Sequence, residues 1–319
     1  MIDKIWKTNN FVSSALLPLS FLYFLIIQFY KIIKYEKKCD VPVICVGNLT
    51  LGGAGKTPTV IKIREILSDY FEDIYVLIRG YRGEKKGPIL VKNKSTFEEV
   101  GEESLLHSKY GYTCVSKNKF NGANFCKACG SDLIIMDDGL QSVDIKKNCR
   151  ILVIDENYRF GNQQIFPAGP LRVPINNGLK DCDIILIIGR NNFLNDFQTV
   201  PQKKIFLATK KIVFKRLKNK NLFVFSALGN NDNFHISLKE NGFKIKSFKK
   251  FPDHYIFKNE DISKIIKEAE NKKLNIVCTE KDYLKIPNKF KKFIHPIGLV
   301  IKIKKQQKFK KRILEILKT

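Results

Sequence analysis

The stretch VICVGNLTLGGAGKTP, Val43 to Pro58, decides the fold. Its β-branched, apolar start, Val43 to Val46, reads as a buried strand. Gly52, Gly53, Ala54 and Gly55 follow, then Lys56 and Thr57. Strand, glycine-rich turn, Lys-Thr and helix is the order of a phosphate-binding loop. Glycines let successive backbone N–H groups curl around phosphate oxygens. Lys56 suits the β- and γ-phosphates of ATP, and the Thr57 hydroxyl suits the accompanying Mg2+. A helix from Pro58 to about Tyr70 would aim its positive end at the same anion. Pro58 fits a first helical turn, where a missing N–H does no harm. Thr50 stands where the strict pattern has a glycine.

Working outward, a second strand ends at Val76 to Arg79 and meets the turn Gly80-Tyr81-Arg82-Gly83. Arg79, Tyr81 and Arg82 are candidates for clamping a phosphate-bearing substrate, arginine offering a bidentate fork. Glu98 to Lys109 reads as helical, and Thr113 to Ser116 as a short strand. Asp132 to Asp138 is an apolar strand ending in two carboxylates. Asp137 and Asp138 therefore match a Walker B end, in which a carboxylate holds Mg2+ directly or through water. Further strands are expected near Arg150 to Asp155 and Asp183 to Ile188. Strands separated by helices argue for an α/β fold, a P-loop NTPase-type mostly parallel sheet with helices on both faces. Ligands then bind at the carboxyl ends of the strands.

From about residue 205 lysine density rises and a second α/β set begins. Its expected strands are Leu222 to Ser226, Lys244 to Phe248 and Asn275 to Cys278, with a helix over Asp261 to Asn271. The expected organisation is an N-terminal membrane helix (1–38), a nucleotide-binding core (39–205) and a smaller C-terminal α/β domain (206–319) closing the cleft. The last stretch, after Lys304, reads as a solvated basic helix. Two sites in this part carry polar chemistry: Asp253-His254 within FPDHY, and TEKD at Thr279 to Asp282, which also suits a helix start capped by Thr279.

The chain has 319 residues, 57 Lys and Arg against 31 Asp and Glu, and a formal net charge of +26. Such a balance fits nucleic acid, an anionic membrane surface or plain compositional bias. The lysines lie in scattered pairs rather than one dense arm, which favours compositional bias, and the uncharged N-terminal segment argues against nucleic acid. Of eight cysteines only Cys126 and Cys129 form a CxxC, with no second pair for a zinc ribbon, and reduced packing thiols are expected. Phe11 to Tyr30 is a run of 20 residues without a charge. As a helix it would measure about 30 Å, enough to span hydrocarbon, and no cleavage signature follows it. Lys31, Lys34, Lys37 and Lys38 after it put the body on the cytoplasmic side of an inner membrane if the helix spans, and suit acidic lipid heads if it lies flat in the interface.

VGNLTLGGAGKTP, RGYRG, DDGLQ, FPAGPLR (Phe166 to Arg172), FPDH and TEKD occur in this order, and together the chain resembles the tetraacyldisaccharide 4′-kinase (lipid A 4′-kinase) family. The resemblance spans nearly the whole chain. It implies a membrane-associated enzyme that uses ATP and Mg2+ to phosphorylate the 4′-hydroxyl of a lipid A precursor, tetraacyldisaccharide 1-phosphate; a monomer is expected. It also implies that Lys56, Asp137 and Asp138 serve catalysis, that Arg172 joins the substrate-binding set, and that Glu102 with His254 activates the sugar hydroxyl. Glu102 stands in Gly101-Glu102-Glu103-Ser104, where the family has Gly-Asp-Glu-Pro, and Ser142 stands where the family's DDGxQH has histidine. The alternative is a membrane-bound P-loop NTPase acting as a regulatory switch.

Overall fold

Apolar β-branched runs bounded by glycine and aspartate form the strands of one continuous sheet. In a computed structural model the described residues are 2–33, 35–189, 197, 200–214, 217, 219–228 and 232–318. Lys34 lies outside them. Three helices come first: α1 (Ile2–Lys7), α2 (Phe11–Ala15) and α3 (Leu17–Ile33). The chain then runs through β1 (Val43–Gly47), α4 (Lys56–Leu67), β2 (Ile74–Ile78), β3 (Ile89–Leu90), α5 (Phe97–Val100), α6 (Glu102–Ser108), β4 (Thr113–Val115), α7 (Lys119–Ala128), β5 (Leu133–Asp137), β6 (Cys149–Asp155), α8 (Ile175–Lys180) and β7 (Ile184–Ile188). The chain continues through β8 (Ile205–Val213), β9 (Asn221–Ser226), α9 (Asp232–Glu240), β10 (Lys244–Lys250), α10 (Asn259–Asn271), β11 (Asn275–Thr279), α11 (Glu280–Leu284), β12 (Ile294–Ile303) and α12 (Gln306–Lys318).

The strand order is β10-β9-β11-β12-β8-β7-β6-β1-β5-β2-β4-β3. Only β12 with β8 and β3 with β4 pair antiparallel among the described strands. β1 lies between β5 and β6, parallel to both. Its side chains alternate between two buried faces. Ile44 and Val46 pack with Val60 and Ile63 of α4, whereas Val43 and Cys45 pack with Ala123 and Cys126 of α7. A central parallel strand covered on both sides by helices is the arrangement that the apolar run at Val43 implies. Because β1, β5 and β2 run in parallel, their carboxyl ends bring Gly47, Asp137 and Ile78 to one edge. The sheet continues through β8 and β12 into the C-terminal strands without a break.

Two expectations are corrected. Phe11 to Tyr30 is not one spanning helix. Asn10 and Ser13 form a capping box that opens α2, Leu16 closes it, and α3 restarts with Pro18 in its first turn. At 17 residues α3 is about 26 Å long, short of the hydrocarbon core. No described helix is long and apolar enough to cross a membrane. Ser20 is buried, donating to Ile165 O at 2.8 Å and accepting from Ala168 N at 3.0 Å. Tyr23 meets the Phe166 ring edge-on at 5.4 Å. One stripe of α3 is therefore anchored on the 165–168 loop, while Phe21, Ile26, Phe29 and Ile32 point away, each more than half exposed.

The C-terminal helix is the second correction, since it is not merely solvated. Phe309 and Ile313 of α12 are fully buried in the cluster that holds Ile63 and Val153, and Phe309 packs edge-on against Phe206. Each such side chain contributes about 1.5–3 kcal/mol of burial. The basic residues of α12 occupy its outer face, and that polar face dominates the sequence pattern.

Candidate active site

The phosphate loop owes its shape to glycine. Gly55 opens α4 with φ 85°, a left-handed conformation that only glycine adopts at no cost. Ala54 is buried and pins the loop, while a Cβ at Gly52 or Gly53 would meet no atom within 4 Å, so the crest is open to a ligand. Thr57 and Pro58 follow in the first turn of α4. Lys56 Nζ donates to Asn48 Oδ1 at 3.1 Å and lies 3.5 Å from Asp138 Oδ2.

β5 ends at Asp137, 2% exposed. Its Oδ2 accepts from Thr57 Oγ1 at 3.2 Å and faces His107 Nε2 at 2.8 Å. Its Oδ1 is buried with no hydrogen-bond partner among the described residues. A buried carboxylate oxygen left open beside a Thr hydroxyl is the donor set that Mg2+ takes. Burial alone would raise the pKa of Asp137, but the His107 hydrogen bond and the charges of His107 and Lys56 bring it below its ordinary value. Asp138 next door has φ 57°, an uncommon backbone conformation of the kind that collects at working sites. Arg172 grips it bidentately, at 2.7 and 3.0 Å, and donates to Gln141 Oε1 at 3.0 Å. Desolvation opposes ionisation of Asp138, and Lys56 and Arg172 outweigh it.

The second cluster forms between α6 and the C-terminal strands. Gly101, φ 83°, ends α5 and starts α6, so the expected helix over Glu98 to Lys109 is two helices. A Cβ there would fall 2.5 Å from Tyr81 O, so glycine is needed for the GYRG turn to approach α6. Glu102 opens α6. Its Oε1 lies 2.8 Å from His254 Nδ1 and its Oε2 3.1 Å from Lys285 Nζ. Burial would raise the Glu102 pKa, but the His254 hydrogen bond and the Lys285, His254 and Lys281 charges draw it down to about 2. Glu103 pairs with Lys281. His254, φ 61°, also meets the Tyr81 ring edge-on at 5.6 Å, and Arg82 donates to Asp253 O at 3.4 Å. Arg79 is exposed at the carboxyl end of β2. Thr279 caps α11 as its sequence suggests, accepting from Asp282 N at 3.2 Å, and Asp282 in turn accepts from Ala227 N. The TEKD turn thus holds the 226–228 turn beside His254 and aims Lys281 and Lys285 at α6.

A sequence profile of the family described as Tetraacyldisaccharide-1-P 4'-kinase (LpxK) matches residues 12–318. The chain belongs to that family. The tetraacyldisaccharide 4'-kinase of Bradyrhizobium diazoefficiens is 34% identical over 253 residues, 77% of this chain and 75% of its own. That of Bartonella tribocorum is 34% identical over 289 residues, 88% of this chain and 82% of its own. The crystal structure of "apo" form LpxK from Aquifex aeolicus in complex with ATP superposes with a TM-score of 0.78 at 27% identity, covering 96% of this chain and 99% of that one.

Within this member of the tetraacyldisaccharide 4'-kinase family the structure brings Lys56, Thr57, Asp137, Asp138 and Arg172 into one cluster, and Glu102, His254, Tyr81 and Arg82 into another. Sequence reasoning missed Asn48, His107 and Lys285. A signal for His107 was present: four residues after Glu103 in a helical stretch puts both on one face. Asn48 follows the last residue of β1, at the ligand-binding edge. Lys285 carried only the weak local signal of Asp282 three residues before it, and its pairing with Glu102 spans most of the chain.

Proposed function

We propose that the chain transfers the γ-phosphate of ATP to the 4′-hydroxyl of tetraacyldisaccharide 1-phosphate, forming lipid IVA. The observation that carries this reading is α6. Its first residue, Glu102, joins His254 from the far half of the sheet, and one turn later His107 meets Asp137 beside the phosphate loop. In this reading Gly52 to Pro58 cradle the triphosphate and Lys56 neutralises charge on the transferring group. Thr57, Asp137 and Asp138 would hold Mg2+, which supplies charge neutralisation on the phosphates when bound. The pair Glu102 and His254 takes the proton from the sugar hydroxyl as its oxygen bonds to the γ-phosphorus. The bond from that phosphorus to the bridging oxygen then breaks, and ADP leaves. Glu102 Oε1 faces His254 Nδ1 and its Oε2 faces Lys285, so the carboxylate accepts from Nδ1–H, orients the imidazole, and leaves Nε2 as the nitrogen that takes the proton. Arg79, Tyr81, Arg82 and Arg172 line the acceptor side, and the C-terminal α/β part (206–319) closes over the core (39–205). One chain supplies every member of both clusters, which supports a monomer.

We further propose that the protein works on the cytoplasmic face of the inner membrane with α3 lying in the interface. The apolar face of α3 turned away from the body supports this, as do exposed Lys37 and Lys38 beyond it. The test is transfer of labelled γ-phosphate from Mg·ATP to the acceptor in detergent micelles, with Lys56→Ala alongside. Lysine-dependent product is expected. ATP hydrolysis that ignores the acceptor would indicate the regulatory switch instead.

A further inference from the structure

His107 sits on the helix that begins with Glu102, and its ring is 1% exposed. Its Nε2 is 2.8 Å from Asp137 Oδ2. An ionised carboxylate only accepts, so Nε2 carries the hydrogen and donates it. The same oxygen takes the Thr57 hydroxyl at 3.2 Å. With both bonds on Oδ2, the carboxylate cannot rotate freely, and buried Oδ1 remains without a partner among the described residues.

We propose that His107 is a positioning residue of the metal site: it locks the Asp137 carboxylate so that Oδ1 is presented to the divalent cation that travels with ATP. The inference rests on the reading of Asp137 as a metal-site carboxylate. A histidine merely satisfied in the core needs only a backbone carbonyl as partner. This one is bonded to a carboxylate assigned to the cation, whose orientation sets where its open oxygen points. Partners of this outer kind are worth about 10–100-fold in metal affinity. His107 also gives α6 a second duty, because the helix that offers Glu102 to the acceptor is braced against the end of β5.

The test measures binding of a fluorescent ATP analogue to the full-length protein in detergent, with and without Mg2+, and reads the Mg2+ concentration that half-tightens it. His107→Leu is expected to raise that concentration about tenfold or more while leaving metal-free nucleotide affinity unchanged. His107→Gln, whose amide nitrogen falls near the Nε2 position, should recover most of the loss, and His107→Asn, which reaches only as far as Nδ1, should not. Wild-type Mg2+ dependence in the leucine variant would overturn the inference, as would equal behaviour of the glutamine and asparagine variants. So would a fall in metal-free affinity that matches the fall with Mg2+, since that marks a general packing role. Should the leucine variant lack a cooperative melt, the glutamine–asparagine pair decides alone. Asp137→Asn separates the two readings. An unchanged Mg2+ midpoint there sinks the metal-site assignment and this inference with it. A shifted midpoint there with none in His107→Leu sinks this inference only.

Discussion

The cluster around Lys56 and Asp137 and the cluster around Glu102 and His254 are built in opposite ways. The first comes from one short stretch, Asn48 to Thr57, and the end of a neighbouring parallel strand, with Arg172 added as the clamp on Asp138. Its working parts are backbone N–H groups, a lysine and two aspartates fixed by strand register, β1 pairing Val46 with Asp137. The second has no local frame. Glu102 waits at the start of a seven-residue helix for His254 and Lys285, which come from the other half of the chain. The first is rigid because hydrogen-bonded strands position it. The second depends on charge pairs across a seam, so its geometry rests on how closely the two halves meet.

The largest effects should come from the rigid cluster. Lys56→Ala or Asp137→Asn is expected to lower turnover on the order of 10³-fold or more, because each removes charge stabilisation from the transferring phosphoryl group. Near-normal turnover in both variants would break the assignment of this cluster to chemistry. Next comes Glu102→Gln. Turnover should fall roughly 10²-fold or more, with ATP affinity nearly intact, since only the proton acceptor is weakened. Lost ATP binding would instead move Glu102 to the nucleotide side and erase the contrast between the clusters.

The same contrast governs what the sequence discloses. A buried strand, glycines and Lys-Thr in fixed order are local facts, so the loop at Gly52 to Thr57 and the aspartates at the end of β5 were legible directly. Each core strand from β1 to β7 had its own apolar run, except β3, which is two residues long. β8 went unread because it is partly exposed and interrupted by Lys210 and Lys211, β12 because Pro296 and Gly298 break its apolar run, and their antiparallel pairing joins residues about 90 apart. Glu102 and His254 were legible as a pair only through resemblance to a family, since nothing in 151 intervening residues brings them together. The pairing of Lys285 with Glu102 was invisible for the same reason. The uncharged run at Phe11 misled because length and hydropathy do not reveal that Ser20 and Tyr23 have partners on a distant loop.

Lys285 sharpens the comparison at the seam. It is almost fully buried between Glu102 and Asp282, with its ammonium 5.6 Å from the centre of the Phe257 ring. Lys285→Met keeps the stem and deletes the charge, leaving two buried carboxylates without their cation. A stability loss of about 3 kcal/mol is expected by thermal or denaturant melting, with a smaller fall in turnover than Glu102→Gln gives. A variant as stable as wild type would mean the seam does not rely on this ion pair. On α3, replacing Phe21, Ile26 and Phe29 together by serine should weaken binding to vesicles containing anionic lipid on the order of tenfold and spare turnover on a detergent-dispersed acceptor. Unchanged partitioning would remove the interfacial role of that face.

The smallest effect is a pH dependence confined to the seam. The Glu102 pKa is lowered from an ordinary 4.5 to about 2. A group whose folded-state pKa is depressed stabilises the fold above its unfolded value, and that contribution is lost as pH falls toward the folded value. Glu102 therefore contributes fully near neutrality, begins to lose its contribution near pH 4.5, and gives up about 1 kcal/mol by pH 4. Asp137 and Asp138 are depressed as well, so the whole protein weakens in acid and the bare melting curve does not isolate the seam. The difference between wild type and Glu102→Gln does, because the other carboxylates are common to both. That difference should stay flat from pH 7 to about 5 and shrink below it. A difference that stays constant down to pH 4 would show that Glu102 gains nothing from His254 and Lys285 in the folded state, and the seam would then be held by packing, like the rest of the sheet.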